Sequence, residues 1–300
     1  MLGQSRPSQA FIAAHLIGTG LFWGSSFIFI KLMRAEVPPL MIAAWRGLFA
    51  GAALAIFVMI LRQSPLPRRS EWFPWIVLGL INGFLPNVLV AYALTELPAG
   101  PGAMIQATAP LFTAMFAHMA FADERLNLRK LAGIALGLAG VGLLAGASAL
   151  EKPGAILPAL AMLATAMLYA LGNIFIRTIK NTEPIRLALG QQSFSALFGC
   201  ASLFAATGPG GFLAPLEHVP LLIAVGVIST ALPIALFMRL IRAAGPTIAS
   251  MTGYMVPAFA TLLGVLALGE RLGARELIAA LVILTGVYVA STARGGAVKA

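Results

Sequence analysis

Apolar stretches of about 20 residues recur from one end of this chain to the other, and short segments rich in charge, proline or glycine separate them. A helix of that length crosses a hydrocarbon layer about 30 Å thick. The windows between the breaks predict ten such helices, at 10–31, 40–61, 73–95, 99–121, 128–147, 155–177, 185–206, 219–240, 246–268 and 274–292. We therefore expect an all-α integral membrane protein with ten transmembrane helices.

The low share of charged residues points to the same fold class. Only 10% of the 300 residues are charged and 60% are hydrophobic, whereas about 25% of a soluble domain is charged. In lipid each span has to satisfy its own backbone hydrogen bonds, which favours helices, and the alternation of a barrel strand is absent. The first span lacks a basic leader and a small-residue cleavage site, so we expect it to be retained.

The distribution of the basic residues predicts the orientation. Fourteen of the 20 lysines and arginines fall in segments on the side of the N-terminus, five fall on the other side, and Arg46 lies within a span. The positive-inside rule then places both termini in the cytoplasm of a bacterial-type inner membrane. Because the net charge of +10 is sorted by loop in this way, a nucleic-acid partner is not expected.

The chain aligns with itself at an offset of about 146 residues. The motif "ADERL" at 122–126 returns as "LGERL" at 268–272, and "WGSSFIFIK" at 23–31 meets "YALGNIFIR" at 169–177. A chance match would not keep one offset from the first helix to the last. The sequence therefore indicates an internal duplication.

Each copy holds five helices, and we expect the two copies to span 10–147 and 155–292. Because five is odd, the second copy enters the membrane from the opposite side. Such inverted repeats are typical of secondary transporters, whose two halves exchange roles to open a central site to either face. The sequence thus predicts alternating access.

The two "ERL" motifs are predicted to be the short turns between the fourth and fifth helices of each half. Their pairs Glu124-Arg125 and Glu270-Arg271 are expected to cap helix ends or to pair locally. A role in gating is the alternative.

Proline recurs at matching places in the third, fourth, eighth and ninth helices, namely at Pro86, Pro110, Pro233 and Pro257. A proline inside a helix frees the carbonyl four residues earlier, which here belongs to Asn82, Gln106, Ser229 and Gly253. Matched interruptions in two halves indicate a transport site, although kinks also serve packing alone.

The polar and aromatic side chains near these kinks, and on the paired first and sixth helices, are the candidates for the cavity lining. They are Trp23, Ser26, Asn82, Asn87, Tyr92, Gln106, Tyr169, Asn173, Ser229 and Tyr254. A lining of rings, hydroxyls and amides without net charge suits a small neutral amphiphile or a zwitterion.

Arg46 is the exceptional charge, about seven residues into the second helix. It could snorkel to the outer headgroups, brace or gate the cavity, or attract a substrate carboxylate. Elsewhere in the chain, Gly133 with Gly137 and Gly142 with Gly146 form two small-xxx-small pairs in the fifth helix. These pairs suit close packing within a monomer or in a homodimer.

No carboxylate is predicted at mid-membrane depth. Proton- or sodium-driven carriers usually keep one there for the coupling ion, so uncoupled export is favoured, with His15 or the freed carbonyls as other ion sites. No metal or other cofactor is expected, because His15, His118 and His218 lie far apart in the chain and no phosphate-binding loop is present.

These motifs, together with "AAWRG" opening the second helix and "AYALTELPAGPGAMIQATAPLFTAMFA" across the third and fourth, resemble the EamA-type ten-helix exporters of the drug/metabolite transporter superfamily. The resemblance implies export of small metabolites, with amino acids, including aromatic ones, prominent among the substrates. The second copy departs from the pattern in having Gln192 where the first has Arg46. A proton-coupled drug or metabolite exporter, a channel and an intramembrane enzyme are the alternatives.

Overall fold

The computed structural model describes residues 7–122, 124–151, 156–180, 182–244, 248–249 and 251–292. Within this part of the chain most residues are helical and there is no strand. The long helices are numbered here as α1 (Gln9–Met33), α2 (Pro39–Ile60), α3 (Trp72–Ala93), α4 (Ala99–Gln106 and Ala109–Ala120), α5 (Leu128–Glu151), α6 (Ile156–Thr178), α7 (Pro184–Thr207), α8 (Val219–Gly226, Val227–Ala231 and Leu232–Ala244), α9 (Thr252–Leu268) and α10 (Ala274–Thr292).

These helices match the ten predicted spans to within a few residues, so the predicted fold class is confirmed. Five are by themselves long and apolar enough to cross a membrane, at Gln9–Met33, Pro39–Ile60, Trp72–Ala93, Ile156–Thr178 and Leu216–Ile241. The others are shorter, broken or less apolar, and they complete the bundle.

We call the end at which α1 begins the N-terminal face and the end at which α1 finishes the far face.

The helix packing follows the inverted repeat. Helix α2 packs against its own counterpart α7, and α5 packs against its counterpart α10. The other large contacts come in equivalent pairs: α1 with α9 corresponds to α6 with α4, and α8 with α1 corresponds to α3 with α6. The chain therefore folds as two inverted five-helix repeats that interlock rather than lie side by side.

Glycines allow close helix packing in the two contacts between equivalent helices, α2 with α7 and α5 with α10. A Cβ on Gly47 of α2 would lie 2.7 Å from the backbone nitrogen of Ala196 in α7, and one on Gly133 of α5 would lie 2.6 Å from the carbonyl of Gly286 in α10. Any side chain there would force the helix backbones apart. By contrast, a Cβ on Gly142 would meet nothing within 4 Å, so the second predicted glycine pair does not pack within the chain at that residue.

Three of the four predicted prolines follow an irregular turn or a break in their helix. A π-helical turn at Gly79–Phe84 precedes Pro86 in α3, and its equivalent at Val227–Ala231 precedes Pro233 in α8. The two parts of α4 are separated by a break just before Pro110. Pro257 lies inside α9, whose helix continues through it. Local widening before the proline accommodates the ring where a regular turn would clash.

Candidate functional site

A cavity of about 380 Å³ opens at the N-terminal face between the two halves. Its wall is formed by α4, α6 and the turn before α5, with one residue of α10. The polar and charged lining consists of Thr113, Glu124, Lys130, Asn173 and Arg177. Pro110, at the break of α4, lies at its apolar side. The cavity thus reaches from charged groups at the surface toward one of the predicted kinks.

A cluster of ion pairs lies at the mouth of this cavity. The Nη1 of Arg177 lies 3.1 Å from Oε1 of Glu124, and Nζ of Lys130 lies 3.3 Å from its Oε2. The side chains of Arg177 and Glu124 are 41% and 37% exposed. The Arg177 guanidinium also covers the ring of Phe121, 4.2 Å from its centroid. We call Arg177 and Glu124 the N-terminal-face pair.

At the far face the corresponding contact is closed. Lys31 at the end of α1 lies with its Nζ 3.3 Å from Oε1 of Glu270, and the two side chains are only 10% and 11% exposed. The carboxylate of Glu270 also accepts hydrogen bonds from the backbone N–H of Ala99, the first residue of α4. The Nζ of Lys31 donates to the carbonyl of Leu97. Lys31 and Glu270, the far-face pair, therefore join α1, α4 and the turn between α9 and α10.

The two pairs occupy equivalent positions of the duplication. Residues 31 and 177 are 146 apart, as are residues 124 and 270. Neither glutamate pairs with the arginine that follows it, so the expected local pairing of Glu270 with Arg271 is wrong. Each glutamate instead bonds the basic residue at the end of the first helix of the other half. The sequence did contain a sign of this equivalence: "WGSSFIFIK" aligns with "YALGNIFIR", and the two basic residues are the last residues of these motifs.

Several predicted site residues bond across helices. Ser229 is fully buried, and its Oγ lies 2.8 Å from Oγ of Ser25, which joins α8 to α1. Asn87 is buried, and its Nδ2 donates to Oγ of Ser195 in α7 at 3.3 Å. The Oγ of Ser26, also buried, donates to the carbonyl of Trp23 within α1. These groups have protein partners in this conformation.

Asn82 is held by a residue that the sequence did not single out. Its Nδ2 donates to Oε1 of Gln191 at 2.9 Å, and Nε2 of Gln191 donates back to the carbonyl of Asn82 at 3.0 Å. That carbonyl is the one that Pro86 frees. The released acceptor is therefore satisfied by α7, and it serves the contact between the halves in this conformation.

The predicted rings are spread over different surroundings. Trp23 is half-buried and lies 5.4 Å from the ring of Phe237, measured between centroids. Tyr254 is half-buried and packs against the main apolar core. Tyr92 is 39% exposed, and none of its hydrogen bonds in the described chain joins it to another predicted site residue. These three rings thus lie in different surroundings, and none of the described ring contacts or hydrogen bonds joins one to another.

Gln106, Tyr169 and Asn173 lie on the side of the open cavity. Gln106 is half-buried at the break of α4, and Asn173 is exposed and lines the cavity. Tyr169 lies one turn deeper in α6 than Asn173, about 6 Å along the helix. Of the three, Asn173 lines the cavity, and Gln106 and Tyr169 lie about one turn deeper in the bundle than the lining residues Pro110 and Asn173 of their helices.

Arg46 points into the protein. Its side chain is 8% exposed, and its Nε donates to Oγ1 of Thr230 in the π-turn of α8 at 2.9 Å. Tyr169 of α6 lies near the guanidinium. The expectation that Arg46 snorkels to the headgroups is therefore wrong, because α8 covers it and offers it a hydroxyl acceptor there.

A buried ion pair that the sequence did not predict lies at the N-terminal face. The Nε and Nη2 of Arg186, at the start of α7, each donate at 2.6 Å to one oxygen of Glu71, and both side chains are almost fully enclosed. Burial alone would raise the pKa of Glu71, but the hydrogen bonds from Arg186 and from the backbone of Arg68 hold that pKa below its ordinary value. The pair ties the loop before α3 to α7.

His218 lies close to two glutamates, one of them distant in the chain and the other adjacent to it. Its Nε2 lies 3.1 Å from Oε2 of Glu36, and Glu217 lies close by. Both acids are exposed. The contact joins the turn after α1 to the start of α8. The expectation that the protein binds no metal stays a prediction.

The comparisons agree with this fold. The model of the EamA-like transporter family matches residues 10–146 and again residues 156–292. A crystal structure of a protein 20% identical to this chain superposes with a TM-score of 0.64 over 95% of this chain and 97% of the other. At that identity it shows the fold alone.

The chain is also similar to several bacterial transporters. The uncharacterized inner membrane transporter YedA of Escherichia coli strain K12 is 32% identical, over 90% of this chain and 87% of its own length. A probable amino-acid metabolite efflux pump of the same strain is 27% identical, over 89% and 90%. An S-adenosylmethionine/S-adenosylhomocysteine transporter of Chlamydia trachomatis is 28% identical, over 83% and 79%. The family model covers both halves of this chain and a relative above 30% identity spans most of it, so the protein belongs to the EamA-like transporter family of the drug/metabolite transporter superfamily.

Proposed function

We propose that this protein exports small neutral or zwitterionic metabolites, amino acids with aromatic or hydrophobic side chains foremost, by alternating access through a site between its two repeats. The single observation that carries this proposal is the unequal state of the two equivalent ion pairs. The far-face pair is buried and bonded to α4, whereas the N-terminal-face pair is half-exposed beside an open cavity.

Inverted repeats can exchange these two states. If the two repeats exchanged their conformations, the far-face pair would open and the N-terminal-face pair would close. The present conformation is then the one open to the N-terminal face. Each ion pair would act as a latch that holds one face shut, because its glutamate bonds both a base of the other half and, at the far face, the start of α4.

The cytoplasm lies at the N-terminal face in this proposal, since the basic residues concentrate there. The protein would reside in a bacterial inner membrane as a monomer or a homodimer, with the five-helix units at 10–147 and 155–292. A substrate would enter from the cytoplasm through the cavity and leave at the far face. The similarity to a probable amino-acid metabolite efflux pump supports this direction and substrate class.

Uncoupled export follows from the depth of the acidic groups. The described acidic side chains lie in turns or near helix ends, and the two glutamates of the ion pairs are engaged there. A carboxylate at mid-depth is the usual site for a coupling ion. Export would therefore run down the substrate gradient without a proton or sodium requirement, and without catalysis.

Counterflow in proteoliposomes tests the proposal. Vesicles preloaded with unlabelled L-phenylalanine or L-leucine should accumulate the labelled amino acid transiently and saturably, with no pH or sodium gradient. Flux without counterflow or saturation would indicate a channel, and chemical change of the substrate would indicate an enzyme. Strict dependence on a proton gradient would favour the alternative of a proton-coupled exporter.

A further inference from the structure

Arg46 is a cation enclosed in the middle of a membrane protein. It lies about 10 Å along α2 from the start of that helix, and its side chain is more than nine-tenths buried. A charge at such depth is costly unless a counter-charge or a set of acceptors receives it. Its partners therefore need to be accounted for one by one.

The protein supplies only part of what the guanidinium requires. Its Nε donates to Thr230, whose own hydroxyl donates to the carbonyl of Val225. In the described part of the chain, neither Nη nitrogen has a hydrogen bond and no carboxylate pairs with Arg46. Neither Nη is fully enclosed by protein atoms. The planar fork that suits a carboxylate is thus left open.

The open fork lies near the route from the cavity. Tyr169 lies near Arg46, and its hydroxyl has no hydrogen bond within the described residues. On the same face of α6 follow Asn173 and Arg177, at four-residue intervals, and both line the cavity. A solute that moves inward along α6 from Arg177 would therefore pass Asn173 and Tyr169 before it meets Arg46.

The charge is not duplicated in the second repeat. The position equivalent to Arg46 is occupied by Gln192, which is 3% exposed and packs beside Gly51 of α2. Among the described residues, Arg46 therefore has no cationic counterpart at the equivalent position of the second repeat. A bound molecule would be held by one anionic end, in one orientation.

We propose that Arg46, assisted by the hydroxyl of Tyr169, binds the carboxylate of the transported substrate. That the bound molecule is transported rests on the proposed function, but the recognition of a carboxylate follows from the site itself. The substrate would then be an organic acid or zwitterion and not a plain amine or an uncharged amphiphile.

Three compounds with the same ring separate these classes: L-phenylalanine, 3-phenylpropionate, which lacks the ammonium group, and phenethylamine, which lacks the carboxylate. Thermal unfolding of the purified full-length protein in detergent would measure binding of each. Counterflow in proteoliposomes would measure transport of L-phenylalanine and its inhibition by the other two. The variants are Arg46→Gln and, as a matched change of charge on an exposed loop residue, Arg69→Gln.

In the wild type and in Arg69→Gln, L-phenylalanine and 3-phenylpropionate should stabilise the protein and phenethylamine should not. Arg46→Gln should weaken the two carboxylates by about tenfold or more, the usual loss for one charge-assisted bond, while phenethylamine binds at least as well as before. Misfolding cannot produce this switch, since it would weaken all three compounds together.

The outcomes separate the inference from the proposed function. If 3-phenylpropionate stabilises the wild type but not Arg46→Gln, and no amino acid shows counterflow, the carboxylate site stands and amino-acid export fails. If L-phenylalanine is transported equally by both proteins, or if neither carboxylate stabilises the wild type, the role given to Arg46 is overturned.

Discussion

Lys31 and Glu270 lie 239 residues apart in the chain, and their side chains meet at 3.3 Å, about nine-tenths buried. Their repeat equivalents, Arg177 and Glu124, meet at 3.1 Å but remain more than one-third exposed. Equivalent residues of a duplicated sequence are thus found in two different environments. That difference is what an alternating-access protein needs in order to close one face while it opens the other.

Breaking the far-face pair should open the far face. In a protein whose single cysteine is replaced (Cys200→Ala), a cysteine at the half-buried Thr261 of α9 would report access, because that residue lies against Gly100 of α4. We expect Glu270→Gln to speed labelling of Thr261→Cys by a membrane-impermeant thiol reagent applied at the far face, since Lys31 and α4 lose the carboxylate that holds both. Glu217→Gln, an exposed glutamate at the same face, should leave the rate unchanged; equal rates in all three proteins would contradict the latch.

The two pairs should also differ in what they contribute to stability. Glu270→Gln leaves the Lys31 ammonium enclosed without a counter-charge, which costs about 3 kcal/mol. Glu124→Gln removes the carboxylate from both Arg177 and Lys130, but that carboxylate is 37% exposed and screened by water, so the change should cost about 1 kcal/mol. Thermal unfolding in detergent should therefore show a clearly larger loss for Glu270→Gln. Equal losses would mean that the two pairs share one environment in solution.

Acid should weaken the contact between the loop before α3 and α7. The pKa of Glu71 lies below its ordinary value of 4.5 in the folded protein, so the folded state binds its proton less readily than the unfolded state. The stabilisation is complete above that ordinary value and is lost as the pH falls through the lower folded pKa. The melting temperature of the wild type should therefore drop as the pH falls through that lowered pKa of Glu71.

Glu71→Gln should lower the melting temperature at neutral pH, because Arg186 keeps its burial but loses the charge that balances it. The variant should then lose less than the wild type on acidification. Glu217→Gln, the same change on an exposed glutamate of the far face, serves as the control. An unchanged acid profile in Glu71→Gln would show that other carboxylates govern the acid transition.

Glycine substitutions in α5 should separate packing positions from open ones. Gly133→Ala would place its methyl against the backbone of Gly286 and Ala290, with an expected cost of about 1–3 kcal/mol and a lower yield of folded protein. Gly142→Ala meets open space and should be neutral or slightly stabilising, since alanine favours the helix. Equal melting temperatures for the two variants would argue against the tight contact between α5 and α10.

Reporter fusions at Ala300 and in the 151–154 loop should report opposite sides of the membrane, with Ala300 in the cytoplasm. This follows from an odd number of helices between the two points and from the bias of the basic residues. Reports from the same side would be incompatible with the inverted repeat.

The sequence alone determined the ten helices and their inverted duplication. Apolar length is a local property, and lipid forces each span to become helical wherever it occurs. The offset between "ADERL" and "LGERL" likewise needs no coordinates. The prolines marked the irregular turns in α3 and α8 because the ring excludes a regular hydrogen bond whatever surrounds it.

Only the tertiary structure decided which polar groups meet. Glu270 pairs with Lys31 and not with the adjacent Arg271, Glu71 reaches Arg186 across 115 residues, and Arg46 turns inward to Thr230. Such partners depend on the distances between packed helices, which no local pattern encodes. The unequal exposure of the two ion pairs is likewise absent from a nearly symmetric sequence, because it arises from the packing of the whole bundle.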